Sequence, residues 1–220
     1  MITLRNLTKS FPTRRGRKYI VRDVNLHLPS GSAVALMGRN GAGKSTLLQI
    51  IAGNLAPDSG EVISTGNISY PVGFSGSFHR DLTGAQNVRF IARIYGVDTD
   101  DLLRFVYDFS QLENQLHMPV RSYSSGMRSR LAFGISMGLQ FDTYLVDEVT
   151  SVGDQAFRAR SAAIFKERMR RSSAIVVTHS LAEVRNLCDA GVIIDNGELH
   201  YYEDIEEAIA QHVKNMKRTT

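Results

Sequence analysis

The stretch GRNGAGKS at residues 38–45 sets three glycines, a lysine and a serine at the spacing that cradles phosphate groups. Glycine backbone can turn successive N–H groups into one concavity, because no Cβ obstructs the conformations this requires. The run before it, SAVALMG (32–38), is continuously apolar, and the run after it keeps helical periodicity as far as Gly53. The loop therefore joins a buried strand to the positive end of a helix. In that frame Gly38, Asn40, Gly41, Gly43 and Thr46 belong to the phosphate cradle, Lys44 reaches the outer phosphates and Ser45 can ligate Mg²⁺.

Two further stretches carry groups that could act on a phosphate held there. TYLVDEV (143–149) ends in adjacent carboxylates, of which Asp147 suits a magnesium-linked acid and Glu148 a base that polarises attacking water. His179 closes the apolar run SAIVVTHS (173–180), at the sheet edge where ligands gather in open α/β folds, and is placed to hydrogen-bond a γ-phosphate. A third stretch, RSYSSGMRSR (121–130), runs from a small-residue turn into a basic helix. Ser124, Ser125 and Gly126 stand at that helix's amino end, so their hydroxyls and N–H groups form a second turn shaped for an anion.

These groups need a scaffold, and the remaining pattern describes one. Period-two runs at 2–9 and 19–28 predict antiparallel strands joined by a basic tip, TRRGRK, whose charges the pattern assigns to solvent. From about 83 to 140 the texture changes to helix-length amphipathic runs. Strand texture returns at 143–149 and 173–180 and in a hairpin over 190–202, with a basic helix near 155–171 between. The fold class expected is α/β: a P-loop NTPase core of mainly parallel sheet, about 1–82 and 141–220. It carries an N-terminal antiparallel β subdomain and an inserted α-helical subdomain, about 83–140. At 220 residues there is room for one such core and little more.

Composition narrows the classes. No run approaches the roughly 20 apolar residues of a spanning helix, and MITLRNLTKSF lacks the pattern of a cleaved export signal. The lone Cys188 has no partner for an intramolecular disulfide and is expected as a small buried apolar residue in a reducing compartment. A net charge of +4 comes from 26 basic and 22 acidic residues spread along the chain. With no aromatic platform and no zinc-ligand spacing beside it, no nucleic-acid partner is expected.

GRNGAGKS, YSSGMRSRL, YLVDEV, SVGD and THS, in that order and with the helical insertion before the second, resemble the nucleotide-binding subunit of an ATP-binding cassette transporter. The resemblance covers essentially the whole chain and implies a single nucleotide-binding domain over 1–220 with ATP and Mg²⁺ as ligands. It implies that Lys44, Glu148 and His179 act on ATP, that Ser45 and Asp147 hold the metal, and that Phe11 stacks on adenine. It also answers why a second anion turn exists: Ser124, Ser125 and Gly126 would hold the γ-phosphate of ATP bound to a second copy of the chain. Asp154 in SVGD matches a loop acid that crosses this dimer interface. The implied partners are that second copy, in an ATP sandwich, and integral-membrane permease subunits at the cytoplasmic face of a bacterial inner membrane.

The chain also departs from the family's common pattern. Ser125 and Met127 stand where the signature usually has glycine and glutamine, and YPVGFSGSFHRDLTG lacks the glutamine usual before the helical insertion, with Ser75 and Ser77 as candidate substitutes. These departures resemble the ATPase of bacterial capsular polysaccharide exporters, in which Phe74 and Phe78 would help form a groove for a short permease helix. A chain ending near 220 leaves no room for the carbohydrate-recognising domain of some O-antigen exporters, so polysaccharide choice is expected in the permease. The alternatives are an exporter ATPase for another surface glycan, O-antigen or teichoic acid, and a soluble non-transport cassette ATPase.

Overall fold

The computed structural model describes residues 1–14, 16–72, 78–147 and 154–217. In chain order its elements begin β1 (Ile2–Thr13), β2 (Gly16–Leu28), β3 (Ala33–Gly38), α1 (Lys44–Ile51), β4 (Ser59–Ser64) and β5 (Ile68–Pro71). The helices α2 (Gly84–Tyr95), α3 (Thr99–Ser110) and α4 (Ser125–Gly138) follow. Then come β6 (Thr143–Asp147), α5 (Gln155–Met169), β7 (Ser173–Val177), α6 (Leu181–Leu187), β8 (Ala190–Asp195), β9 (Glu198–Tyr202) and α7 (Ile205–Lys217).

The strands form two sheets, one of order β2-β1-β4 and one of order β5-β6-β7-β3-β8-β9. In the larger sheet β3 pairs parallel with both β7 and β8, and only β9 runs antiparallel, closing a hairpin with β8 through Asn196 and Gly197. That interior position explains why β3, β7 and β8 read as unbroken apolar runs: a parallel strand covered on both faces has no polar side to show. The antiparallel β1–β2 hairpin instead buries only some of its residues, and irregularities in its register break strict alternation. Its Leu4, Leu7, Ile20 and Val21 join Leu47 and Leu48 of α1 and Leu36, Ile175 and Val192 of the large sheet in one core cluster. The carboxyl ends of β3, β6 and β7 lie along one edge, with Asp147 opposite Val177 and Ala35 opposite Val176.

The described residues fall into two compact units, one from residues within 1–71, 141–148 and 169–220, the other from residues within 72–140 and 149–168. The second is helical. Thr83 opens α2 with a reciprocal capping box to Gln86, and the Asp98 carboxylate caps α3 by accepting from the N–H groups of Asp100 and Asp101. Its aromatic centre stacks Phe109 on Phe133 at 5.6 Å and sets Phe157 edge-on to Phe109 at 5.3 Å. The helix expected near 155–171 thus shares this unit instead of the sheet core, because Phe157 packs here and Arg168 donates twice to the Met137 carbonyl, at 3.0 and 2.7 Å. Phe78, expected to help form a groove for a permease helix, is 8% exposed, while Phe74, Ser75 and Ser77 lie outside the described residues.

Candidate functional site

At the carboxyl end of β3 the chain enters the phosphate loop, and the loop's shape is enforced from below. Gly43 has φ +110°, and a Cβ there would sit 2.4 Å from Ile20 Cγ2, so only glycine lets the loop lie on the β2 side chain. Just past it α1 begins, presenting its first-turn N–H groups without any acidic side chain in that turn. A cavity of 450 Å³ opens over the loop, lined by Phe11, Lys18, Ile20, Asn40, Gly41, Gly43, Lys44, Ser45, Thr46, Val177 and His179. Lys44 donates to the carbonyls of Gly38 at 2.9 Å and Arg39 at 3.1 Å, which folds its ammonium back over the loop it follows.

The far wall is the end of the β1–β2 hairpin. Phe11 is 39% exposed there, with the Lys9 ammonium 5.5 Å from its ring centroid on one side. Lys9 is itself fixed by hydrogen bonds to the Ala56 carbonyl and the Asp58 carboxylate. The Ser10 hydroxyl, and after it the Lys9 ammonium, hold the Asp58 carboxyl down at about 2. The opposite wall carries His179. Its neighbours are pinned, because Thr178 donates to Glu183 at 2.6 Å and the Ser180 hydroxyl accepts the Glu183 N–H to cap α6.

Most of the loop residues named from the sequence therefore line one cavity; Gly38 is not among them, and its carbonyl accepts from Lys44. Asp147 ends β6 beside Val177, one of the lining residues. Glu148 lies outside the described residues. Among the described residues no cluster of three His, Cys, Asp or Glu side chains forms. A hydroxyl at Ser45 and one carboxylate at Asp147 suit Mg²⁺, which binds through one or two protein oxygens and takes its other ligands from phosphate and water. Sequence reading missed Lys18 and Ile20. Alternate positions place the two on one side of β2, but only the β1–β2 register, which pairs Lys18 with Phe11, brings that side to the cavity.

The second turn has a different construction. The Ser124 Oγ accepts the Met127 N–H at 3.2 Å as the cap of α4, which leaves its own O–H free to donate outward. Among the described residues Gly126 has no steric reason: an added Cβ would meet the Ser124 Oγ at 3.8 Å, an ordinary contact. Arg128 donates to the Tyr123 carbonyl at 2.5 Å and braces the turn from behind. Arg130 pairs with the Asp154 carboxylate and lies 5.0 Å from the Phe157 ring centroid. Asp154 also accepts the Phe157 N–H at 2.9 Å; that bond, and after it the Arg130 charge, holds its carboxyl below the usual range. Its carboxylate is thus engaged within the helical unit, as the cap of α5.

A family model described as ABC transporter matches residues 21–151. The chain is 47% identical over 215 residues to the polysialic acid transport ATP-binding protein KpsT of Escherichia coli, covering 96% of each chain. It is 40% identical over 208 residues to the capsule polysaccharide export ATP-binding protein CtrD of Neisseria meningitidis serogroup B, covering 94% of this chain and 96% of that one. The O-antigen export system ATP-binding protein RfbB of Klebsiella pneumoniae stands at 34% over 213 residues, covering 94% and 87%. In fold the chain is similar to the ATP-binding cassette MJ0796, solved as a dimer in a post-hydrolysis state with ADP and Pi. There the TM-score is 0.78 and the identity 22%, over 93% of this chain and 99% of that one.

Proposed function

The chain belongs to the ABC transporter family, and from that premise we propose that it is the ATP-hydrolysing subunit that powers export of a capsular polysaccharide across a bacterial inner membrane. The observation that carries the cargo is the order of the relatives, in which the polysialic acid and capsule proteins stand nearer than the O-antigen protein. The O-antigen relative keeps export of another surface glycan as the second reading.

The residues divide the work. Phe11 offers adenine the ring face opposite Lys9, and the loop N–H groups with the α1 terminus receive the phosphates. Lys44 exchanges its bonds to the Gly38 and Arg39 carbonyls for the outer phosphate oxygens. Ser45 and Asp147 would hold Mg²⁺, which spreads charge from the β- and γ-phosphates. Glu148 accepts the proton of a water that attacks the γ-phosphorus, and the bond to the leaving ADP oxygen breaks as His179 hydrogen-bonds the transferred phosphoryl group.

Ser124 and Gly126 complete the site of a second copy. The free O–H of Ser124 and the lack of close packing on Gly126 among the described residues suit a γ-phosphate arriving from outside the chain. Two copies then close head to tail on two ATP molecules, and hydrolysis removes the ligand that holds them together. No helix among the described residues is long and apolar enough to cross a membrane; permease subunits would hold the dimer at the cytoplasmic face.

The test is the location of polysaccharide in the source bacterium after deletion of this chain, with rescue by wild type and by Glu148→Gln. Polymer trapped inside and restored to the surface only by wild type is the expected result. Unchanged surface polymer overturns the cargo, and full rescue by Glu148→Gln removes that residue from the base role.

A further inference from the structure

The hairpin tip that charge pattern assigns to solvent contains one residue that turns inward. Along β2 successive side chains alternate in side. Arg17 donates to the Ser10 hydroxyl at 3.0 Å and approaches Asp58 at 3.6 Å, whereas Lys18 and Ile20 both line the cavity. Lys18 is the register partner of Phe11 across the hairpin. Its ammonium donates to the Gly41 carbonyl at 2.6 Å. It therefore stands between the aromatic ring and the phosphate loop, while Lys44 is anchored at the loop's other end on Gly38 and Arg39.

We propose that Lys18 is a second cation for the nucleotide and that it binds the α-phosphate. The inference rests on the ATP reading of this cavity and assigns it a residue outside the loop. A nucleotide stretched from Phe11 to Lys44 carries its α-phosphate past Lys18 and its outer phosphates toward Lys44. The ammonium has three N–H donors, and the Gly41 carbonyl takes one. No carboxylate is among the described lining residues, so no acidic group among them competes for the other two. Because Lys18 is exposed, its charge is not buried before the ligand arrives, and the bond it gains is a charge-assisted one. The α-phosphate is present in ATP and ADP alike and does not change during hydrolysis. Lys18 accordingly strengthens ground state and transition state equally, and its loss appears in KM and not in kcat.

The test compares the full chain with Lys18→Met and Lys18→Arg. Affinities are measured for ATP, ADP and the Rp and Sp isomers of ATP carrying sulfur on the α-phosphate, without divalent ions so that metal–sulfur preference does not contribute. Lys18→Met is expected to weaken ATP and ADP alike by about tenfold, to raise KM at nearly constant kcat, and to erase the isomer preference of the wild type. Lys18→Arg keeps most of the affinity and a preference. Wild-type affinity in Lys18→Met overturns the proposal. So does weakened binding with the isomer preference intact, which would assign Lys18 to bracing Gly41 alone, and so does a wild type with no isomer preference. Lys44→Ala is the separate control: if it binds ATP as wild type does, the cavity reading itself fails, whereas failure at Lys18 alone leaves that reading standing.

Discussion

The chain carries two glycine-bearing turns at helix amino ends, and they are built on opposite logic. In the phosphate loop Gly43 is demanded from within, by a left-handed φ and by Ile20 directly beneath it. In the serine turn Gly126 has room for a Cβ among the described residues, in ordinary contact with the Ser124 Oγ at 3.8 Å. A glycine in a helix costs roughly 0.5–1 kcal/mol relative to alanine, and no described residue of the helical unit packs closely enough on Gly126 to require it. The first turn is finished by its own unit. The second stays open among the described residues, and the proposed partner is the surface that would give its glycine a reason.

The largest effects should separate the two turns by what they bind. Lys44→Ala removes the cation of the finished turn, and nucleotide affinity is expected to fall by about a hundredfold or more, as loss of charge-assisted bonds to phosphate implies. Ser124→Arg places a bulky side chain on the open turn. It should leave nucleotide affinity of the same chain within about twofold while ATP-dependent pairing of two chains, read by sedimentation in a Glu148→Gln background, disappears. Equal loss of binding and pairing in Ser124→Arg would mean that both turns serve one site within one chain.

A smaller contrast tests the glycines themselves. Gly43→Ala forces a Cβ into Ile20 in a left-handed conformation and should destabilise the fold by about 1–3 kcal/mol in urea unfolding. Gly126→Ala should do the reverse, stabilising the chain by about 0.5–1 kcal/mol through helix propensity, and still weaken ATP-dependent pairing. If Gly126→Ala pairs as wild type does, the space above it is not where a partner comes in.

The same contrast shows what the sequence made legible. GRNGAGKS could be read because all of its determinants are local: an apolar strand before, a helix after and glycines between. The serine turn was legible as a helix cap, a role the structure supports at Ser124, but the cap alone does not tell what the open side is for. Lys18 was hidden because its role depends on the β1–β2 register, which sets it opposite Phe11, and a basic tip beside a glycine resembles any solvated turn. β4 and β5 escaped notice for a related reason. SGEVIS has no fully buried residue and ISYP only Ser69, a polar one, and each exists by pairing with a longer strand, β1 or β6. α5 was legible as a helix but not as part of the helical unit, since Phe157 finds Phe109 and Phe133 only once the chain has returned.

The smallest expected effect compares the aspartates that anchor the two regions, Asp58 behind Phe11 and Asp154 beside the signature helix. Both carboxyls are held below the ordinary value of 3.8, Asp58 at about 2. A depressed carboxylate stabilises the fold at pH above its unfolded pKa, and that contribution is lost as pH falls toward the folded pKa. Wild-type stability should therefore decline between about pH 4 and pH 2, and Asp58→Asn should flatten that limb because the amide does not titrate. Asp154→Asn should flatten it less, and its cap should survive because asparagine also accepts the Phe157 N–H. Both pairs meet solvent, so added salt should shrink the differences further. The two aspartates also differ in what they support. Asp58 fixes Lys9 against Phe11, so Asp58→Asn should weaken ADP binding slightly at neutral pH, whereas Asp154→Asn should not. Acid unfolding and ADP titration on the two variants read both expectations. A larger flattening in Asp154→Asn would make the helical unit, not the Phe11 end of the cavity, the more strongly anchored of the two.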